Sequence, residues 1–416
     1  MMRRLALLAT ILVTILVAAC HDDAAPSSVT PLSNGPPPVI LISIDGFRPD
    51  YLHRGDTPTL DHLAETGVSG AMRPAFPSVT FPNHTTLVTG LTPDHHGIVG
   101  NTMHDPAIPG ETFSVGKRTG LNDPRWWAGS EPVWITAEAH GLRTAAMFWP
   151  GSDVPFHGLR PHDWRIFDPQ VTPQERVDQV LAWFRRPVNA RPAFTTLYFD
   201  GVDHAGHKYG PDSAAVRRAA RKVDDAIGAL VAGLSDEGVT PDLIIVSDHG
   251  MTAISPKRVI PLTDLAPADD MEIVTSGAYA GLDPRPGRDH ALAAALARPH
   301  AHVQCWPKSR IPARFAYGQN PRVPAFLCLA QTGWMLTAPG AHPPSGGTHG
   351  YDNADPAMAA LFIGHGPAFA SDKTIPEFDN VDIYPLTMEL LGLMPLPDDG
   401  TVTPFAPYLR GVYANF

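Results

Sequence analysis

Cysteine and basic residues are both scarce in this sequence, and each shortage excludes a class of function. The 416 residues include 3 cysteines, and no Cys-x-x-Cys spacing occurs. A zinc site built from thiolates is therefore excluded, and any metal must be held by oxygen and nitrogen ligands. Lysine and arginine number 31 against 42 aspartates and glutamates, which gives a formal net charge of -11. This acidic balance argues against a nucleic-acid polymer or an anionic membrane surface as the main partner.

Long apolar runs are also few, and the longest lies at the N-terminus. It spans residues 5–19, follows two arginines and ends in small residues before Cys20. A membrane-spanning helix needs about 20 apolar residues, so this run has the length of a signal-peptide core. The approach to Cys20 resembles a bacterial lipobox, in which the cysteine is lipidated after cleavage. Cleavage without lipid and an uncleaved anchor are the alternatives.

The N-terminal features predict an exported protein, periplasmic or held at the cell envelope by lipid on Cys20. Residues 1–20 form the predicted signal peptide, and residues 21–38 are polar and proline-rich, as in a tether. An oxidising compartment would favour a disulfide between the remaining cysteines, Cys305 and Cys328. Two buried thiols that do not meet are the alternative.

Strand and helix patterns alternate through residues 39–416. Apolar, β-branched runs such as residues 39–44, 194–199 and 242–247 are typical of central strands in a parallel sheet. Helical patterns lie between them, which predicts an α/β fold with an open, mostly parallel sheet and helices on both faces. The pattern loosens at about residues 252–345, which we interpret as an inserted cap or subdomain. An independent domain is the alternative.

Acidic residues follow three of the predicted strands. Asp45, Asp203 and Asp248 lie in the segments after these strands. The carboxyl ends of parallel strands line the ligand crevice, so these carboxylates should meet at one edge of the sheet. They would repel one another unless a cation lay among them. Imidazoles accompany them at His207, His249 and His349. Carboxylate and neutral imidazole are suitable ligands for catalytic zinc.

Residues 76–87 form a stretch that predicts a helix beginning near Thr80. Pro82 stands in the first turn, where proline is tolerated, and apolar residues follow at helical spacing. A hydroxyl at a helix N-terminus faces unpaired backbone amides, which stabilise negative charge there. An ordinary capping threonine is the alternative. His84 lies one helical turn further on, where it would support the site rather than bind metal.

Six short motifs carry a resemblance to a known family. They are Ser43-Ile44-Asp45-Gly46, Pro77-Ser78-Val79-Thr80-Phe81-Pro82-Asn83-His84, Gly97-Ile98-Val99-Gly100-Asn101, Asp203-x-x-x-His207-x-x-Gly210-Pro211, Ser247-Asp248-His249-Gly250-Met251 and His349-Gly350-Tyr351. With them the chain resembles the nucleotide pyrophosphatase/phosphodiesterases of the alkaline phosphatase superfamily, and the lipobox-like N-terminus points to a bacterial member. The resemblance implies an alkaline-phosphatase-like catalytic domain over residues 39–416.

The resemblance also implies two zinc ions. The residues that match the ligands of the nucleophile-binding ion are Asp45, Thr80, Asp248 and His249. The residues that match the ligands of the water-activating ion are Asp203, His207 and His349. Thr80 would then be the nucleophile and form a phospho-threonine intermediate, which water hydrolyses.

Three further residues are predicted to contact the substrate. Asn101 matches a family amide that donates to a non-bridging phosphate oxygen. Phe81 matches an aromatic residue that stacks on a nucleobase. Trp164 lies where the family has a second aromatic residue, with Phe156 and Phe167 as rivals.

Together these features predict a zinc-dependent hydrolase that converts small phosphodiester or nucleotide pyrophosphate substrates into nucleoside monophosphates. A sulfatase is excluded, because the sulfatases of this superfamily have cysteine or serine at the position of Thr80. A phosphate monoesterase is disfavoured. The superfamily's threonine monoesterases resemble one another in a Lys-x-Arg pair between the first and second ligand clusters, whereas the only such pair here, Lys308-Ser309-Arg310, lies downstream in the insertion. Lipid, choline or glycerol head-group diesters are the alternative substrates, and a zinc-binding lipoprotein without turnover is the alternative function.

Overall fold

The structure is a computed structural model that describes residues 36–342 and 344–411. For residues 118 and 119 only the backbone is described. The predicted signal peptide, Cys20 and residues 21–35 of the predicted tether lie outside the described residues. Among the described residues, no helix has the length and apolar character needed to cross a bilayer.

Strands and helices alternate over much of the described chain. Its strands are β1 Val39–Ile44, β2 Val68–Arg73, β3 Thr102–Met103, β4 Phe113–Ser114, β5 Thr144–Met147, β6 Asp163–Trp164, β7 Phe194–Phe199, β8 Asp242–Val246, β9 Thr252–Ile254, β10 Val259–Pro261, β11 Met271–Thr275, β12 Tyr279–Pro284, β13 Val303–Pro307, β14 Phe326–Ala330, β15 Met335–Thr337, β16 Gly346–Thr348, β17 Ala360–His365, β18 Lys373–Thr374 and β19 Phe378–Asp379. Its α-helices are α1 Pro58–Thr66, α2 Thr80–Thr89, α3 Pro93–His96, α4 Arg118–Leu121, α5 Pro124–Trp127, α6 Val133–Ala139, α7 Pro173–Phe184, α8 Gly201–Tyr209, α9 Ala214–Asp236, α10 Asp289–Leu296 and α11 Ile383–Leu390.

The largest sheet of the described residues has nine strands, in the order β18-β2-β17-β8-β1-β7-β5-β6, with β19 paired to β2. β1 lies between β7 and β8 and is parallel to both. All residues of β1 are buried, because flanking helices cover a mostly parallel sheet and keep its central strands from water. The predicted α/β architecture is confirmed.

One edge of the sheet differs from the sequence prediction. β17 runs antiparallel to both β8 and β2. β2, with the sequence VSGAMR, has no counterpart in the prediction, because a short run with serine and glycine lacks the β-branched pattern of a buried strand. Gly70 is needed in this strand, since a Cβ there would lie 2.6 Å from the carbonyl oxygen of Ile375.

Two helices carry four of the predicted site residues, Thr80, Phe81, Asp203 and His207. α2 begins at Thr80, so the predicted helix start is confirmed, and Val79 before it is extended. Gly90 ends this helix with a left-handed φ of 67°. α8 starts directly after β7 and carries Asp203 and His207 four positions apart, which places them on the same helix face.

Residues 252–345 contain a second, antiparallel sheet in the order β11-β12-β14-β13. Leu282 on β12 and Cys328 on β14 belong, together with Leu292 of α10, to a hydrophobic cluster distinct from that of the main sheet. Sequence analysis did not find these strands. Each is only 5 or 6 residues long, and glycine or proline interrupts the apolar pattern of β12 and β13. The bounds of the insertion stay a prediction.

The predicted disulfide is confirmed within this second sheet. Cys305 on β13 lies directly opposite Cys328 on β14, and the two are bonded. The cross-link therefore joins two neighbouring strands that are already paired by backbone hydrogen bonds.

Replacing Cys305 and Cys328 together with alanine should lower the free energy of unfolding by about 3 kcal/mol, because the bond restricts the unfolded chain. Guanidinium denaturation of both proteins, followed by fluorescence, measures the difference. Wild-type protein reduced with dithiothreitol is the control for the sequence change and should shift by a similar amount. Identical unfolding midpoints would mean that the disulfide does not stabilise the fold.

Candidate active site

Three adjacent strands bring the acidic residues together. β7, β1 and β8 are parallel neighbours, so the segments that follow them lie at the same edge of the sheet. Asp45 follows β1, Asp203 lies in α8 directly after β7, and Asp248 follows β8. The three carboxylates converge at this edge, where Asp45 and Asp203 each place a carboxylate oxygen close to a ring nitrogen of His249.

His249 is the centre of a first group of side chains. Its Nε2 atom lies 3.0 Å from Asp248 Oδ2 and 3.5 Å from Asp45 Oδ1. Thr80 Oγ1 lies 3.3 Å from the same nitrogen. The structure thus gathers all four residues that the sequence predicts as one ligand set.

Asp203, His207 and His349 form a second group. Asp203 Oδ1 lies 3.4 Å from His207 Nε2 and 3.6 Å from His349 Nε2, and the two ring nitrogens are 3.1 Å apart. The ring of His349 also stacks on the ring of His249, with centroids 3.5 Å apart. The second predicted ligand set is therefore assembled and adjoins the first.

Backbone carbonyl groups orient the three imidazoles. Each ring pairs its Nδ1 atom with a carbonyl oxygen: His207 with Gly347 at 3.0 Å, His249 with Gly250 at 2.9 Å and His349 with Ser78 at 2.9 Å. A carbonyl oxygen only accepts hydrogen bonds, so Nδ1 carries the hydrogen in every ring. The Nε2 atoms, which face the carboxylates, are left to bind a metal or a proton.

Three carboxylate oxygens in these groups are buried without a hydrogen-bond partner. They are Asp45 Oδ1, Asp203 Oδ1 and Asp248 Oδ2. Buried carboxylates in this condition are strongly unfavourable unless a cation compensates them. Carboxylate oxygen and imidazole nitrogen are the donors that zinc prefers in catalytic sites, so the residues present fit bound zinc.

The carboxylates differ in their protonation equilibria. Burial raises the pKa of Asp45 well above its usual value, and the charges of Asp248 and Asp203 raise it further. Burial also raises the pKa of Asp203. Burial acts in the same direction on Asp248, but His249 and His84 outweigh it and hold the pKa of that carboxyl well below its usual value.

The pKa values of His249 and His349 shift in opposite directions. Burial acts to lower the pKa of His249, but the Asp248 carboxylate outweighs it and the pKa is raised. Burial lowers the pKa of His349 well below its usual value, with the charges of His249 and His207 acting the same way. Without metal, His249 therefore tends to hold a proton and His349 tends to be neutral.

Asn101 lies beside Thr80 with its amide in a defined orientation. Its Oδ1 atom accepts the backbone N–H of Phe81 at 2.9 Å. A backbone N–H only donates, so the oxygen end of the amide faces Phe81 and the Nδ2 end is left for the adjoining cavity.

A cavity of about 430 Å³ opens over these residues. Thr80 and Asp45 lie on its wall together with the aromatic side chains of Phe81, Trp127 and Phe167. Phe167 is 42% exposed, which is unusual for a phenylalanine and leaves its ring accessible to a ligand. A cavity of this size and lining suits a small molecule with one apolar, planar part.

Trp164 does not line this cavity, contrary to its predicted contact with substrate. It lies on β6, with the guanidinium of Arg160 5.1 Å from its ring centre. Phe167, one of the two rivals, and Trp127, which the sequence prediction does not contain, line the cavity instead. Side chains along an extended segment alternate in direction, so a small offset in position decides which aromatic residue reaches the ligand.

Residues 39–352 match the family model described as type I phosphodiesterase/nucleotide pyrophosphatase. The chain belongs to this family. The matched region contains every residue of the two groups, so the family assignment and the geometry concern the same part of the molecule.

Curated members of the family are similar to most of this chain. Mouse ectonucleotide pyrophosphatase/phosphodiesterase family member 1 is 37% identical over 382 residues, which cover 88% of this chain and 42% of that protein. An uncharacterized pyrophosphatase/phosphodiesterase of Schizosaccharomyces pombe is 37% identical over 396 residues, which cover 89% of this chain and 80% of that protein. The chain thus spans less than half the length of the mouse relative. Both relatives are eukaryotic, and the bacterial origin stays a prediction.

Solved structures of the family share the fold. Human ectonucleotide pyrophosphatase/phosphodiesterase 5 matches with a TM-score of 0.86 and 32% identity, covering 90% of this chain and 100% of that chain. The murine protein, as an inactive threonine-to-alanine variant in complex with AMP, matches with the same TM-score and 33% identity. The predicted alkaline-phosphatase-like fold is confirmed.

Zinc binding to the metal-free protein should release protons. The raised pKa values of Asp45, Asp203 and His249 mean that these groups hold protons which a metal must displace. Fewer protons are held as the pH rises, so release should be greater at about pH 6 than at about pH 8, and zinc affinity should fall with falling pH. Titration calorimetry in buffers of different ionisation enthalpy counts the protons, and equal heats in all buffers would contradict this.

Proposed function

We propose that the protein is a zinc-dependent phosphodiesterase and nucleotide pyrophosphatase that hydrolyses nucleotide diesters and phosphoanhydrides to nucleoside monophosphates. The observation that carries the proposal is the position of Thr80 Oγ1, 3.3 Å from His249 Nε2 and on the wall of the aromatic cavity. This hydroxyl adjoins a metal donor set, the N-terminus of α2 and the space for a substrate. Metal coordination and a helix N-terminus both favour deprotonation of a hydroxyl, so this combination suits an activated nucleophile.

In this proposal the two groups of side chains hold one zinc ion each. Asp45, Thr80, Asp248 and His249 form one site, and Asp203, His207 and His349 form the other. When bound, the ions supply Lewis-acid stabilisation of negative charge on the reacting oxygens. The hydrogen bonds from Nδ1 to backbone carbonyls hold the imidazoles in the orientation that ligation needs.

The Thr80 hydroxyl is the proposed nucleophile. Its proton passes to solvent, and its oxygen attacks phosphorus in line with the leaving group. The bond from phosphorus to the leaving group breaks, and this group departs with the bonding electron pair as the phospho-threonine forms. The positive end of α2 and the Nδ2 group of Asn101 stabilise charge on the non-bridging oxygens. Water then attacks the same phosphorus, and the bond from phosphorus to Thr80 Oγ1 breaks. One proton of the water returns to Oγ1, and the nucleoside monophosphate is released.

Aromatic side chains in the cavity support a nucleotide substrate. Half-buried Phe81 and exposed Phe167 both line it, and accessible rings of this kind stack on a nucleobase. The inactive murine relative was solved with AMP, which is a nucleoside monophosphate like the product proposed here. We therefore place the nucleoside between the nucleophile and these rings.

Two other substrate classes are less well supported. Lipid, choline or glycerol head-group diesters are the main alternative, since an aromatic cavity also accepts apolar or cationic groups. Phosphate monoesters carry more charge, and Arg165 is the one lysine or arginine among the described residues that line this cavity. Lys308 of the Lys-x-Arg pair lines a different cavity.

Export is part of the proposal. The disulfide suits an oxidising compartment, and the mouse and human relatives carry the prefix "ecto" in their names. A signal peptide over residues 1–20, lipid on Cys20 and a periplasmic location stay predictions. The catalytic domain is proposed to span residues 39–416.

The zinc-loaded protein should hydrolyse p-nitrophenyl thymidine monophosphate faster than p-nitrophenyl phosphate by about tenfold or more, the factor that 1.4 kcal/mol of preferential binding represents. A chelator should abolish both activities and added zinc should restore them. p-Nitrophenyl phosphorylcholine is the comparison for head-group diesters. Faster monoester turnover would favour a phosphatase, and no turnover with zinc bound would contradict the proposal.

The Thr80→Ala variant should lose activity by about 10³-fold or more, because the nucleophile is removed. Thr80→Ser keeps a hydroxyl and should retain part of the activity. Acid quenching during turnover of a ³²P-labelled substrate should trap label on the wild-type chain and none on Thr80→Ala. Label that persists in the alanine variant would assign the nucleophile to another residue.

A further inference from the structure

His84 raises a question that the two zinc sites leave open. Its ring nitrogen lies close enough to Asp45 and Asp248 for the three residues to form a third group that could hold a metal. The side chain is fully buried, one helical turn after Thr80. It is therefore either an additional ligand or a residue that supports the others, and its hydrogen bonds distinguish these roles.

The nitrogen of His84 that faces the carboxylates carries a hydrogen. Nδ1 lies 2.9 Å from the carbonyl oxygen of Thr80 and 3.3 Å from Asp248 Oδ2. A carbonyl oxygen only accepts hydrogen bonds, so Nδ1 carries the ring hydrogen, donates it to Thr80 and has no lone pair for a metal. This differs from His207, His249 and His349, whose Nδ1 atoms face away from the carboxylates.

The other nitrogen of His84 is engaged by the central sheet. Nε2 lies 2.8 Å from Ser43 Oγ, and Ser43 stands on β1 two positions before Asp45. A serine hydroxyl donates to this nitrogen when Nδ1 carries the ring hydrogen. Both ring nitrogens are thus satisfied within the protein, so the third group is not a metal site.

Aromatic side chains hold the ring from two sides. Its centre lies 4.9 Å from Trp149 and 5.1 Å from Tyr198, with edge-to-face geometry in both pairs. The Tyr198 hydroxyl donates to Asp45 Oδ2 at 2.6 Å, and Trp149 Nε1 donates to the carbonyl oxygen of His84 at 3.0 Å. His84 therefore touches groups that position the nucleophile, the first ligand set and the cavity wall.

We propose that His84 is a positioning residue that fixes the first turn of α2, and with it Thr80, relative to β1 and Asp248. Through its bond to the Thr80 carbonyl it sets where the hydroxyl stands relative to the carboxylates. The inference rests on the proposed function, because the consequence of misplacing Thr80 is a slower reaction. Supporting residues of this kind typically contribute about 10- to 100-fold in activity.

The variants His84→Leu and His84→Asn separate positioning from ligation. Leucine removes both hydrogen bonds, whereas the asparagine amide keeps a donor near the place of Nδ1 and so near the Thr80 carbonyl. His84→Leu should lower kcat for p-nitrophenyl thymidine monophosphate by about 10- to 100-fold, with KM changed by less than about twofold and zinc per chain unchanged. His84→Asn should recover most of kcat.

His96→Leu is the matched control. His96 is also fully buried, and its Nε2 atom forms a hydrogen bond with Thr86 Oγ1 of α2 at 3.1 Å. It belongs to none of the three groups of possible metal ligands. The His96→Leu substitution should lower the stability of the protein without lowering kcat. The proposal is overturned if His84→Leu loses one equivalent of zinc, if its kcat is unchanged, or if asparagine is no better than leucine.

A measurement on the wild-type protein covers the case in which a variant fails to fold. In protein with ¹⁵N-labelled histidine and ¹¹³Cd in place of zinc, His207, His249 and His349 should show cadmium–nitrogen coupling and His84 should show none. Its Nδ1 shift should be that of a protonated nitrogen. Coupling at His84 would make it a ligand. This outcome does not depend on turnover, so a protein inactive on all substrates would refute the proposed function while leaving this test intact.

Discussion

Buried carboxylate oxygens that lack a hydrogen-bond donor are the constraint that organises this structure. Asp45, Asp203 and Asp248 each direct a carboxylate oxygen without a partner into the same small volume. They cannot move apart, because each is attached to the end of a central strand or to the helix that follows it. The sheet therefore holds in place a set of charges that is unfavourable by itself and that protons or cations neutralise.

Backbone groups complete the site from distant parts of the chain. His349 reaches the carboxylates from the loop after β16, and its Nδ1 bonds the carbonyl oxygen of Ser78. In return, Ser78 Oγ donates to the carbonyl oxygen of Tyr351 at 2.9 Å. This reciprocal pair ties the segment before Thr80 to the segment that carries His349. The two halves of the site are thus oriented before any metal or substrate binds.

The charged residues of the site and the aromatic wall of the cavity come from different parts of the structure. The carboxylates stand at strand ends and in the first turn of a helix, where small changes in loops do not displace them. The aromatic wall with Phe81, Trp127 and Phe167 is built largely from loops and short helices, which vary without disturbing the sheet. A metal centre can therefore stay constant in this fold while the preferred substrate changes.

The sequence by itself determined the central parallel strands β1, β7 and β8 and the helix that begins at Thr80, because each depends on a local pattern. It also indicated the disulfide partners, by counting cysteines. It also indicated that strand-end aspartates would meet, since neighbouring parallel strands end at one edge. Only the tertiary structure decided the strands with interrupted apolar patterns, such as β2 and β12, and the choice of Phe167 over Trp164. It likewise decided that the Nδ1 atom of His84 faces two acceptors. These features depend on which surfaces loops bring together, and no local pattern encodes the distance between segments far apart in the chain.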